Sequence, residues 1–233
     1  MWKRELDGRA FTFRLAGINN QNFLMRDEET GSYWQQISGR AISGPMRGRQ
    51  LELVHSDELT FGLWRKENPQ GTVLKPVEKF ASEYESKDWE AHIGKAPTVV
   101  STSGTPHRPR DLMLGIEFRG AARAYPVDVV LKSKLIQDRI GGTPIIIVVG
   151  HDQKSIRAFE AKIKPGEATP EFYRDASAVL MDSIADSRWN FRGCAIEGPA
   201  TGQCLHPIPA LKDYWFDWRI YHPQTTVFNP QIK

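Results

Sequence analysis

Two cysteines and a histidine, Cys194, Cys204 and His206, are the residues whose types and spacing best fit a small binding site. All three have even position numbers, and side chains alternate between the two faces of a strand. If two strands pair around an even register sum, all three side chains therefore lie on one face, within reach of one another. The spacing predicts a cluster of sulfur and imidazole groups on a β-hairpin.

This cluster has three interpretations. Free cysteine is commonly buried in protein cores, so we expect two unpaired structural thiols. The first alternative is a disulfide between Cys194 and Cys204. The second is a soft transition-metal site with Cys194, Cys204 and His206 as ligands, for which His151 or His222 would supply a fourth ligand.

His151 and Asp152 form a second candidate site, directly after the apolar run 144–149. Catalytic groups often lie in loops, and an imidazole beside a carboxylate has the chemistry of a general base. We expect a solvated polar loop here, because no nucleophile motif accompanies the pair. An enzyme of unknown reaction is the alternative. The acidic run 27–29 lacks calcium-loop spacing and is expected to be a solvated turn.

The elements that must position these residues occur twice in the chain. Residues 39–76 and 193–230 align at a constant offset without a gap, and fourteen aligned positions are identical. Such self-similarity indicates a duplicated structural unit. Cys194 and Cys204 align with Arg40 and Gln50, so the fold does not require either thiol. Function is therefore expected at positions that differ between the copies.

The repeat predicts an α+β fold that is mainly β, with short helices and pseudo-twofold-related halves. Glycine and proline in 44–48 and 198–202 are typical of hairpin loops. Alternation and turn residues predict strands over 113–118 and 121–125, the continuous apolar run predicts a buried strand over 144–149, and a further strand is expected over 155–163. A short helix is expected over 127–136.

The alignment also predicts the domain organisation. Copy A occupies residues 1–95 and is N-terminally truncated, because it has no counterpart to the segment that leads into copy B. Residues 96–110 are rich in Ser, Thr, Gly and Pro and are expected to be a linker. Copy B occupies residues 111–233 and is complete. We expect the two copies to pack against each other.

Composition and charge exclude some partners. The net charge at pH 7 is +3, with acidic and basic residues mixed, whereas nucleic-acid-binding proteins show a basic stripe. The apolar run 144–149 is far shorter than the roughly 20 residues that cross a bilayer. We therefore expect no nucleic-acid partner and no membrane span. The polar start indicates a cytoplasmic protein from this chain alone, or an extracytoplasmic one if the natural start lies upstream of Met1.

Distinctive motifs lie at 24–34, 39–48, 124–126 and 138–144. They resemble those of a bacterial, internally duplicated family known as domain of unknown function 3179, and in particular its C-terminal part. The resemblance implies no reaction, and it implies that related proteins are often exported. Where the family usually has Cys-x-x-Cys, this chain has Gly150 and Gln153. The resemblance therefore implies that this dithiol is missing here.

Together these observations favour a soluble, non-catalytic binding or scaffold module of unknown ligand, with no cofactor. The alternatives are the metal- or thiol-dependent site on the hairpin (Cys194, Cys204 and His206) and an enzyme that uses His151 and Asp152.

Overall fold

The structure is a computed structural model that describes residues 1–86, 88–100, 102, 104–163 and 168–230. Parts of the predicted copies and linker, namely residues 87, 101, 103, 164–167 and 231–233, lie outside this description. The chain is mainly β with few short helices, as predicted. None of the described helices is long and apolar enough to cross a membrane.

The strands are short, and in sequence they lie before and after the segment 44–111, in which the structure describes helices but no named strand. Those before it are β1 (Glu5–Leu6), β2 (Arg9–Ala10), β3 (Phe13–Asn19), β4 (Asn22–Asp27), β5 (Tyr33–Gln35) and β6 (Ala41–Ser43). Those after it are β7 (Leu112–Phe118), β8 (Ala121–Pro126), β9 (Leu135–Ile140), β10 (Thr143–Val149), β11 (Ile156–Glu160), β12 (Phe172–Arg174), β13 (Leu180–Asp182), β14 (Arg188–Trp189), β15 (Ala195–Glu197), β16 (Pro207–Ile208), β17 (Leu211–Tyr214) and β18 (Thr226–Val227). The helices are α1 (Phe61–Glu67), a 3₁₀ helix (Glu78–Glu83), α2 (Trp89–Ile93), α3 (Val127–Ser133) and α4 (Trp215–Tyr221).

Among the described residues the strands form the β1–β2 hairpin and four sheets of four strands. The sheet orders are β3-β4-β5-β6, β12-β13-β14-β15, β16-β11-β10-β9 and β17-β7-β8-β18. Every residue of β10 is buried, because this apolar strand lies between β9 and β11 and is covered on both faces. Its odd-numbered isoleucines pack toward α3, and Ile146 and Val148 pack toward the β12–β15 sheet.

Helix α3 is shorter than the predicted span 127–136. It ends at Lys134, which has a left-handed φ of 63° and donates its backbone N–H to the carbonyl of Val130. Leu135 and Ile136 instead begin β9 and pair with β10. The hydrogen bonds of the sheet therefore replace those of another helical turn.

In the β3–β6 sheet a buried carboxylate binds a buried tryptophan. Asp27 is 1 % exposed and accepts a hydrogen bond of 2.7 Å from the indole Nε1 of Trp34. Its side chain also accepts from the hydroxyl of Thr30, and the nearby Ser32 hydroxyl accepts from the backbone N–H of Met46. The expectation of a solvated turn is therefore wrong for Asp27, because the indole and the turn donors satisfy its charge inside the sheet.

The β12–β15 sheet contains the same arrangement of residue types. The side chain of Asp182 is fully buried and accepts a hydrogen bond of 2.9 Å from the indole of Trp189. The Ser187 hydroxyl accepts from the backbone N–H of Ala200, as Ser32 does from Met46. Each tryptophan also meets a phenylalanine edge-on, with ring centroids 5.7 Å apart in the first sheet and 5.8 Å apart in the second.

An ion cluster holds residues 57–67 against β11. Arg157 is 7 % exposed and donates to Asp57 at 2.7 Å and to both carboxylate oxygens of Glu67 at 2.8 and 2.9 Å. Although burial alone would lower the pKa of Arg157, these two carboxylates raise it above the ordinary value. The cluster is charge-compensated and links segments about 90 residues apart in sequence.

A second carboxylate pair, Asp213 and Asp217, lies where the tip of the β3–β4 hairpin meets α4. The side chain of Asn22 donates to Asp217. Burial, reinforced by the neighbouring Asp217, raises the pKa of Asp213 to about 8, and burial also raises the pKa of Asp217. A proton retained by the pair relieves the repulsion between the two carboxylates.

This pair predicts a pH-dependent stability. Asp213 has a folded pKa near 8, above the roughly 3.9 of an unfolded aspartate, so the folded state holds more protons between these values and loses stability as pH rises. In Asp213→Asn, the fall in the free energy of unfolding between pH 5 and 8 should shrink by at least about 1 kcal/mol. Urea unfolding at both pH values measures it. The exposed Asp128→Asn is the control, and equal slopes in all three proteins would contradict the prediction.

Candidate ligand-binding cavity

A cavity of about 610 Å³ lies where the end of β10 meets β12, β13 and β14. Its walls come from four chain segments, 134, 148–153, 174–180 and 189–196. The lining residues are Lys134, Val148, Val149, Gly150, His151, Gln153, Arg174, Ser177, Ala178, Val179, Leu180, Trp189, Asn190, Phe191 and Ile196. The volume is within the range of small-molecule sites.

The loop after β10 forms one rim of this cavity as a tight turn. Gly150 donates its N–H to the carbonyl of Ser155, and Gln153, in the left-handed region, donates to the carbonyl of Gly150. A Cβ at Gly150 would lie 2.9 Å from Asp152 Oδ1, which favours glycine there. Gly150 and Gln153, the positions at which the resemblance implies a dithiol in relatives, both line the cavity.

Asp152 is a structural anchor of this loop. It accepts hydrogen bonds of 2.6 Å from the hydroxyls of both Thr60 and Ser155, and it also accepts from the backbone N–H of Ser155. Although burial alone would raise the pKa of Asp152, these donors lower it far below the usual range. His151 is exposed and lines the cavity, whereas Asp152 directs its oxygens toward Thr60 and Ser155. The structure therefore does not arrange the two side chains as a base and its orienting partner.

Arg174, at the end of β12, forms the basic part of the cavity wall. Its Nη1 donates to the carbonyl of Ala178 and its Nη2 to the carbonyl of Val149, both at 2.7 Å. The Nη2 group also reaches the carbonyl of Lys134 at 3.4 Å. The Nε atom is buried and has no hydrogen-bond partner among the described residues. Burial lowers the pKa of Arg174.

Aromatic and aliphatic side chains form the rest of the wall. Trp189 is held by the hydrogen bond from its Nε1 to Asp182, so its ring has one fixed orientation. Asp182 is itself fixed by the backbone N–H groups of Ile184, Ala185 and Ser187. The cavity thus has a rigid apolar side and a basic side.

A second cavity, of about 480 Å³, borders the Arg157 cluster and differs from the first in the charge of its lining. The lining of the second cavity includes Asp57 and Glu67 as well as Arg157 and Arg192, so opposite charges compensate one another. The lining of the first contains Lys134, His151 and Arg174 and, among the described residues, no carboxylate.

The cysteine cluster lies on the hairpin after β14, and the structure shows it as a disulfide. Cys194 and Cys204 are bridged directly across the hairpin with Cα atoms 4.0 Å apart, so the register sum is even, as required. The expectation of two unpaired thiols is wrong, because direct pairing brings the sulfurs into bonding distance. The exposed His206 lies 3.9 Å from Glu160 instead. Within the described ranges no group of three or more His, Cys, Asp or Glu is placed to hold a metal ion.

The most informative cavity residue, Arg174, is one that the sequence did not single out. Its importance depends on its surroundings: its hydrogen bonds go to main-chain oxygens on other segments. A signal comes from comparing the strand pair β12–β13 with β3–β4. Phe13 pairs with Asp27 and Phe172 pairs with Asp182, so Arg174 corresponds to Leu15. A basic residue therefore replaces an apolar one.

The disulfide predicts the thiol content and part of the stability. Unreduced, denatured protein should react with no thiol reagent, and reduced protein should react at two sites. For this sequence separation of 10, reduction should lower the free energy of unfolding by about 3 kcal/mol. The double variant Cys194→Arg/Cys204→Gln, which copies the Arg40–Gln50 bridge, should still fold. Two reactive thiols without reductant would overturn the disulfide.

Comparison with known proteins places the chain in a family. The family model described as protein of unknown function (DUF3179) matches residues 1–225. No curated protein and no solved structure matches the chain. Because the match covers nearly the whole sequence, including every cavity residue named above, this chain belongs to the DUF3179 family.

Proposed function

We propose that this chain is a non-catalytic binding module whose ligand occupies the cavity beside Arg174 and Trp189. The observation that carries the proposal is the form of this cavity: it is concave, about 610 Å³ in volume, and walled by fixed aromatic and basic side chains. Small-molecule sites commonly combine a mainly apolar wall with a few convergent polar groups.

The state of the neighbouring carboxylates supports binding rather than catalysis. Asp152 is engaged by Thr60 and Ser155, and Asp182 by Trp189. Asp175 accepts hydrogen bonds from the backbone N–H groups of two following residues. A general base needs a pKa near the working pH, and the pKa of Asp152 is held far below that range.

We also propose that the chain consists of two copies of one unit, over residues 1–95 and 111–233, and that the cavity belongs to the second. Matching contacts support this proposal. The Asp27–Trp34 and Asp182–Trp189 hydrogen bonds correspond, and so do the bridges Arg40–Gln50 and Cys194–Cys204. The shared contacts explain the fold, and Arg174 is a cavity residue that differs from its counterpart, Leu15.

A matched pair of substitutions tests the binding proposal. Ile196 lines the cavity and is 57 % exposed, so Ile196→Trp should fill its mouth without disturbing the core. Ligand-observed NMR with a set of small ring-bearing fragments should find binders to the wild type, and Ile196→Trp should lose them. The loss should exceed tenfold in affinity, since a bulky side chain would occupy the ligand volume.

The control is Ile42→Trp, at the aligned position of the first copy. It should keep the same binders, because residue 42 belongs to the other sheet. The absence of any binder, or binders unaffected by Ile196→Trp, would contradict the proposed function.

A further inference from the structure

We propose that the ligand carries a carboxylate or phosphate group that pairs with the Arg174 guanidinium, while its apolar part lies against Trp189 and Phe191. This inference rests on the proposed function and specifies the ligand's chemical class. It makes Arg174 the residue that distinguishes anionic from neutral ligands.

The hydrogen bonds of Arg174 do not use all of its donors. A guanidinium has five N–H donors. Backbone carbonyls of Ala178, Val149 and Lys134 account for three of them. Among the residues that the structure describes, Nη1 makes one hydrogen bond, to Ala178, so its second N–H remains as a donor on a side chain that forms the cavity wall. Nε also has no partner there, but it is buried and is not counted as a donor to a ligand.

Arg174 and Arg157 differ in their charge partners. The buried Arg157 of this protein binds two carboxylates, which raise its pKa against the effect of burial. Arg174 shows the opposite: its described hydrogen bonds go only to main-chain oxygens, and burial lowers its pKa. A partly desolvated cation without a counterion is costly, and an anionic ligand would offset that cost.

The cavity lining around Arg174 also favours an anion. Lys134 and His151 add basic character to the lining, and no carboxylate that would repel an anion occurs in the part of the lining that the structure describes. The nearest acidic side chain in sequence, Asp175, is used by the N–H groups of Ser177 and Val179. Guanidinium groups bind carboxylate and phosphate oxygens through paired N–H donors, so both anions fit this chemistry.

Matched probes test the ligand class. Benzoate, phenyl phosphate, benzamide and benzylamine share one ring and differ in charge. We expect the two anions to bind the wild type more tightly than the amide and the amine, and more weakly as salt is raised. The stronger of the two anions identifies the preferred group.

Substitution of Arg174 completes the test. Arg174→Gln should weaken anion binding by about 30-fold or more, the change expected when one partner of a buried charge pair is truncated. Arg174→Lys keeps the positive charge but not the planar pair of N–H donors, and it should lose less affinity for the anions than Arg174→Gln does. Arg139→Gln, an exposed arginine that binds the carbonyl of Gly142, is the control and should bind as the wild type does. Thermal unfolding of each variant shows whether it folds.

The outcomes separate the two proposals. If benzamide binds as tightly as benzoate, or if a folded Arg174 variant keeps full anion affinity, the ligand class is wrong although the cavity still binds ligands. If no probe binds and the fragment set also yields no binder that Ile196→Trp removes, the proposed function fails as well.

Discussion

The hydrogen bond between a buried aspartate and a buried tryptophan is the constraint on which the β3–β6 and β12–β15 sheets both depend. In each sheet the carboxylate accepts hydrogen bonds from backbone N–H groups of its own turn and from the indole of the next strand. These bonds fix the turn, the strand and the aromatic ring relative to one another. A buried charge is tolerated only when it is satisfied in this way. In the second sheet the same bond orients Trp189, which is a wall of the cavity. Scaffold and site thus share one interaction.

The difference between the two sheets lies in what surrounds that shared bond. The second sheet packs Phe172 and Trp189 against Ile146, Val148 and Phe159 of the β9–β11 and β16 sheet. The loop after β10 and the end of β12 then enclose the cavity at the edge of that packing. The first sheet instead extends the tip of its β3–β4 hairpin to α4, through the hydrogen bond from Asn22 to Asp217. Leu15, which corresponds to Arg174, lies in β3 and is exposed.

The sequence predicted most of the fold but little of the site. Strands β7 and β8 follow from local alternation and turn residues, and β10 from a continuous apolar run, all of which are signals within a few positions. The end of α3 at Lys134 depends on pairing with β10 and is not a local property. Asp27 and Asp182 lie one residue out of step with the constant offset that aligns 39–76 with 193–230, so that alignment does not pair them and the sequence predicts a solvated turn at Asp27. The disulfide depended on a register that spacing permits but does not require.

The location of a bound anion tests the central claim most directly. In a crystal structure of the protein soaked with benzoate, the account predicts the carboxylate within hydrogen-bonding distance of the Arg174 guanidinium and the ring against Trp189 or Phe191. Benzoate bound instead beside Arg157 and Arg192, with the Arg174 cavity holding only solvent, would contradict it.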